Sequence, residues 1–147
     1  MRFVTETLRN ALVGAALLAA GSLPSHAEDA APSFFFTLTS GEVNEAGAAL
    51  HLARTFRGKG RSVHVLVIGE ALKFATRGVE TAPFAGYGKT PQEMLGMVIE
   101  DGVTVSICQM CLSVQSVEEG QLIDGVAIVN GYDVLDAIEQ SEKQLSF

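Results

Sequence analysis

The segment Ile107-Cys108-Gln109-Met110-Cys111 places two cysteines three residues apart, where an apolar run gives way to a helical turn. A thiolate in such a place is a nucleophile that accepts a sulfane sulfur or exchanges with a disulfide. In an open parallel sheet, ligands collect beyond the carboxyl ends of the strands, which puts Cys108 at the functional edge. The amides and dipole of the following turn favour its ionised form. The Cys111 amide is expected to support the Cys108 sulfur, and the Cys111 thiol to resolve a persulfide or disulfide. A static disulfide, or two small buried hydrophobes, is the competing structural reading. A bridge across so short a loop removes little entropy from the unfolded chain, which argues against a purely stabilising role. Zinc is disfavoured: a thiolate pair needs about two further ligands, and His51 and His64 are the histidines left for them in the body of the chain.

Other polar residues have plainer readings. Thr39, Ser40 and Gly41 follow the first strand, where amides cradle anions, but these residue types cap helices anyway. Neither GxGxxG nor a Walker sequence is present, so no cofactor is assigned. His51 reads as a solvated surface residue and His64 as a packed one. Met94, Met97 and Met110 read as core filling, and Glu118-Glu119 as a solvated turn. Glu70 is the carboxylate placed nearest the cysteine edge, and it has no identifiable acidic partner.

These residues need a frame to hold them. The chain has 147 residues, with 10 Lys+Arg against 17 Asp+Glu, a length that suits one domain. Arg2 and Arg9 precede the apolar run Ala11 to Ala20, and Ser25 and Ala27 fit the small-residue positions of a secretory cleavage site. Residues 1–27 therefore read as a signal peptide, leaving 147 − 27 = 120 residues exported to a periplasm or secreted. The apolar run is about half of the ~20 residues a spanning helix needs, so no permanent membrane anchor is expected. Removing Arg2, Arg9 and Glu6 leaves 8 basic and 16 acidic groups, a formal charge of −8, which repels nucleic acid. Arg54, Arg57, Lys59 and Arg61 form the densest cationic stretch, at a helix end where cations complement the dipole.

Residues 28–32 read as a disordered linker, and residues 33–147 as one domain. Phe34 to Leu38 and Val63 to Ile68 are nearly continuous apolar runs, as in strands buried on both faces. Between them Ala46, Ala49, Leu50, Ala53 and Phe56 recur at helical spacing, and Gly58 and Gly60 stop the pattern. Ala71 to Thr76 suits a short helix, and Pro83, Gly86 and Gly88 mark a loop. Thr90-Pro91-Gln92-Glu93 has a cap, a proline at the first helical position and a capping-box glutamate. Val103 to Ile107 reads as a third strand, Met110 to Val114 as a short helical turn and Val126 to Val129 as a fourth strand. Tyr132 to Glu142 reads as a helix with Val134, Leu135 and Ile138 on one face, and a fifth strand fits the closing residues. The alternation predicts a three-layer α/β/α sandwich around a mainly parallel sheet of about five strands.

The stretches SFFFTLTSGEVNEAGAALHLARTF from Ser33, VHVLVIGEAL from Val63, PQEMLGMVIEDGVTVSICQMCL from Pro91, EEGQLIDGVAIV from Glu118 and the closing QLSF together resemble the DsrE/DsrF-like (DsrE/TusD-type) sulfur-relay family. The resemblance covers nearly all of residues 33–147. It implies a small flavodoxin-resembling α/β subunit, assembly into trimers or hexamers, and a persulfide carried on the strand-end cysteine, here Cys108. Cys111 matches a second cysteine found in some branches. Many members carry Arg-Gly after the cysteine helix, where this chain has Gln115-Ser116. The leading expectation is an exported sulfur carrier with unknown donor and acceptor. The alternatives are an oligomeric binding or adaptor protein with redox-passive cysteines, and a periplasmic thiol–disulfide exchange protein.

Overall fold

The computed structural model describes residues 33–147, so the expected signal peptide and linker lie outside the described residues. Strand β1 (Ser33–Leu38) leads into helix α1 (Val43–Gly58) and strand β2 (Ser62–Val67). A 3-10 turn at Gly69–Ala71 runs into the single turn α2 (Leu72–Ala75), and after a loop come α3 (Pro91–Glu100) and β3 (Thr104–Cys108). Helix α4 (Gln109–Gln115) follows β3 without a break. A second 3-10 turn (Glu119–Gln121), β4 (Val126–Val129), α5 (Gly131–Glu139) and β5 (Lys143–Ser146) complete the order.

All strands are parallel, in the order β4-β3-β2-β1-β5, so every strand ends at the same edge. The α/β architecture expected from the alternating pattern is the one observed. From β1 to β4 the chain steps steadily to one side, and from β4 to β5 it crosses back past β1. Right-handed crossovers therefore put α1 and α3 on one face and α5 on the other.

The period-two alternation of each strand sorts its side chains between these faces. Phe36, Val65, Val105 and Val126 lie in register and pack, with one exception, as fully buried core under α1 and α3. The exception is Val126, which is partly buried. Ala46, Ala49, Leu50 and Ala53 of α1 meet this layer, as their spacing predicts. Gly47 of the same helix lies under the Phe84 ring, where a Cβ would come within 2.3 Å of Cγ. The opposite face carries Phe35, His64 and Thr104 in one row and Leu66, Ser106 and Ala127 in another. It is the more polar side, and α5 covers it only in part.

Helix α3 starts as its sequence requires. The Glu93 N–H donates to Thr90 Oγ1 at 3.2 Å, and the Thr90 N–H donates to the Glu93 carboxylate at 2.8 Å, with Pro91 in the first turn. These bonds satisfy amide donors that a helix end leaves open. Helix α5 is capped in the same way by Asn130, whose Oδ1 accepts from the N–H groups of Tyr132 and Asp133. Its apolar residues behave differently from the expectation: none is fully buried, and Leu135 is 50 % exposed. Two methionines also depart from it. Met94 is in the core, but Met97 is only partly buried and Met110 is 70 % exposed, because α4 stands on the carboxyl edge rather than against the sheet.

Candidate functional site

Cys108 is the last residue of β3, paired with Val129 of β4, and it is also the residue from which α4 starts. The alternation along β3 turns its side chain to the same face as Thr104 and Ser106. It lines a cleft of about 400 Å³ at the carboxyl edge with Gln109, Met110, Ser113, Asn130 and Gly131. Cys111 sits one turn later in α4 and does not line this cleft. Both cysteines are free thiols of intermediate exposure, so the static disulfide reading does not describe this state.

The expected support of the Cys108 sulfur by the turn amides is not formed, since the Cys108 side chain makes no capping hydrogen bond to α4. The backbone N–H that reaches the pair belongs to Gly69, just beyond β2, and it is directed at the Cys111 sulfur. Burial pushes the Cys111 thiol above its ordinary value, and the hydrogen bond to Cys108 and the Cys108 charge push it further. The Gly69 N–H opposes them.

Gly69 is held from two sides. Its carbonyl oxygen accepts from Gln115 Nε2 at 2.7 Å. Its φ of +58° is in the left-handed region, and a Cβ there would lie 3.3 Å from the Thr39 carbonyl oxygen, so the position suits glycine on both counts. Ser116 closes α4 in the same left-handed region at φ 53°, the sole non-glycine with positive φ among the described residues. The Gln115-Ser116 departure noted in the sequence therefore has a structural meaning. Gln115 braces the β2 end through Gly69, and Ser116 occupies a conformation glycine adopts freely. Sequence reasoning flagged these residues only as a departure, and their contact with Gly69 required the tertiary structure.

The remaining candidates are dispersed. The amides expected to cap α1 or cradle an anion are taken. The N–H groups of Thr39 and Ser40, and Thr39 Oγ1–H at 2.7 Å, converge on the backbone oxygen of Phe147. Glu42, at the N-cap of α1, has no side-chain capping bond, and its N–H donates to Ser40 Oγ. Glu70 is exposed, near Gly41 and Lys73. His51 is exposed on α1, with its ring edge-on to Tyr87. His64 shares a 2.6 Å hydrogen bond with fully buried Ser106 and lies against Phe35, and burial pushes its imidazole below the ordinary value. Neither histidine joins the cysteines, and no group of three or more His, Cys, Asp or Glu among the described residues is arranged to hold a metal. No helix among the described residues is long and apolar enough to cross a membrane.

A parallel α/β domain with a cysteine at the end of an interior strand places that thiol at the sheet edge where ligands collect in open parallel folds. Residues 33–147 match the DsrE/DsrF-like family, and the chain belongs to it. That family is related to sulfur relay. The fold is similar to that of YchN from E. coli, with TM-score 0.66 and 22 % identity over 80 % of this chain and 99 % of that one. It is also similar to BT1422 from Bacteroides thetaiotaomicron, a conserved protein of unknown function (TM-score 0.61, 15 % identity, 78 % and 94 % covered). MTH1491 from Methanobacterium thermoautotrophicum, likewise of unknown function, gives TM-score 0.57 at 15 % identity with 78 % and 98 % covered. No curated protein matches the chain.

Proposed function

We propose that the protein is an exported sulfur carrier, periplasmic or secreted, that loads a sulfane sulfur on Cys108. The observation that carries this reading is the division between the thiols. Cys108 lines the cleft, whereas Cys111 sits one turn later in α4 outside it, its thiol pushed up by burial and by the neighbouring Cys108. In loading, the Cys108 thiolate attacks the sulfane sulfur of thiosulfate or a polysulfide. The donor S–S bond breaks, sulfite or the shortened polysulfide leaves with the electron pair, and Cys108 becomes a persulfide. An acceptor thiolate then takes the outer sulfur and returns Cys108 as a thiolate. Without an acceptor, the Cys111 thiolate attacks the inner sulfur, closing a Cys108–Cys111 disulfide and expelling hydrosulfide. A dithiol reductant is then needed to reopen it.

The carrier is a trimer or hexamer in this reading. Met110 and Val114 of α4, and Tyr132 and Leu135 of α5, are between 50 % and 82 % exposed on the helices flanking the cleft. Apolar surface of this kind is usually covered by a partner, and a symmetric second copy is the simplest one. A monomer mass in light scattering at micromolar concentration would refute this part. N-terminal sequencing of the exported protein is expected to begin at Glu28 or within a few residues of it.

Intact-mass analysis after thiosulfate or polysulfide treatment tests the carrier itself. The parent should gain the mass of one sulfur, Cys108→Ser should gain none, and Cys111→Ser should load and hold its adduct longer. Equal loading by Cys108→Ser and the parent, with circular dichroism unchanged, would overturn the assignment of roles. Loss of two hydrogens without sulfur gain would favour thiol–disulfide exchange instead.

A further inference from the structure

A second cavity lies at the other end of the described domain. A groove of about 650 Å³ is lined by His51, Arg54 and Arg57 of α1, by Tyr87 of the loop before α3, and by Asp101 just after α3. Helix α1 runs back to the start of β2, so the groove sits at the amino edge of the sheet, away from Cys108.

Two guanidinium groups are fixed there by one residue. Arg54 Nε donates to the Asp101 carboxylate at 2.5 Å, and its Nη1 donates to the Tyr87 hydroxyl at 2.8 Å. Arg57 Nε donates to the Asp101 carbonyl oxygen at 2.8 Å, and its Nη2 passes over Gly102, where a Cβ would come within 3.0 Å. Among the described residues, these bonds leave both terminal nitrogens of Arg57 and one of Arg54 without a protein acceptor. Asp101 is the single acidic residue of the lining, so the groove is cationic in a chain of net charge −7. Tethering each arginine through its Nε removes much of the rotamer freedom that a guanidinium otherwise loses on binding. Beside them the His51 and Tyr87 rings meet edge-to-face at 5.5 Å and form an aromatic wall.

We propose that this groove binds a small organic phosphate, with the Arg54–Arg57 pair holding the tetrahedral head group and the His51–Tyr87 pair contacting the organic body. Guanidinium forks match phosphate oxygens in paired hydrogen bonds. The volume is several times what a bare oxyanion fills, and the aromatic wall gives the remainder an apolar surface to cover. Helix-end complementarity accounts for Arg57 next to the C-terminus of α1, but it does not require Arg54 and Arg57 to converge on Asp101.

Isothermal titration of the full chain with phenyl phosphate and with inorganic phosphate, at low and high salt, tests the site. Phenyl phosphate should bind saturably, at least tenfold tighter than inorganic phosphate, and weaken as salt rises. Arg57→Gln should lower its affinity at least tenfold with the circular dichroism spectrum retained, and Tyr87→Ala should erase the preference over inorganic phosphate. Cys108→Ser should bind like the parent, which separates this site from the sulfur chemistry. Absence of saturable binding, equal affinity for the two probes, or full affinity in folded Arg57→Gln would each overturn the proposal.

Discussion

Gln115 Nε2 donates to the Gly69 carbonyl oxygen at 2.7 Å, joining the end of the cysteine helix to the loop that follows β2. Gly69 directs its N–H at Cys111, so one residue receives Gln115 on its carbonyl and serves the second thiol with its amide. Gln115→Ala should cost about 1 kcal/mol of stability, the net worth of one hydrogen bond, read as a lower urea midpoint. It should also let Cys111 react faster with a bulky maleimide. An unchanged alkylation rate would show that the brace does not govern the thiol.

Ser116 pays for its left-handed backbone, and glycine would not. Ser116→Gly is expected to raise stability by about 1 kcal/mol, whereas Ser116→Val should lower it. Chemical denaturation of the two variants decides the sign.

Cys111 should make release of sulfur depend on pH. Its thiol is pushed up by burial and by Cys108, so near neutral pH it is mostly protonated and attacks the Cys108 persulfide slowly. Below its pKa the thiolate fraction rises about tenfold per pH unit. Persulfide decay in the parent should therefore accelerate toward alkaline pH, and the part due to Cys111 should vanish in Cys111→Ser. A time course by intact mass at several pH values measures both.

His64 should contribute a second pH effect, of opposite direction. Burial pushes its imidazole down, so the folded chain resists protonation. Above the ordinary value of about 6.5 the residue is neutral in both states and its contribution is fully present. As pH falls below that value the unfolded chain takes up the proton first and stability declines, until folded His64 is protonated as well. Urea midpoints at about pH 7.5 and pH 5.5 should differ more for the parent than for His64→Gln. Equal differences would assign the effect to other groups.

What was legible in the sequence was whatever short-range physics decides. The aromatic run Phe34-Phe35-Phe36 and the β-branched run at Val63 could only be strands, and Thr90-Pro91-Gln92-Glu93 carries its own capping bonds. Cys108 at a strand end followed from the same alternation. The immediate surroundings of the thiols were not legible, because Gly69 is about forty residues from Cys111 and Gln115 reaches it only after β2 and β3 pair. Met110 and Leu135 look like core residues in sequence because apolar type does not say whether a subunit or a solvent layer lies beyond. The arginine cluster looked like a helix end, and it is one, but its convergence on Asp101 depends on how α1 packs against α3.

The strand order also governs when the sheet is finished. β1 is the first strand to be made, yet one of its two edges is covered only by β5, with Phe34 opposite Lys143 and Phe36 opposite Leu145. Closing that pair is the most distant contact in the sheet, and loops of such length form late. Until then three consecutive phenylalanines stand on a strand with an open edge, the kind of segment that recruits other chains. A chain still emerging from a ribosome spends that whole interval exposed, so losing Lys143 to Phe147 would harm yield through aggregation before it harmed any chemistry at Cys108.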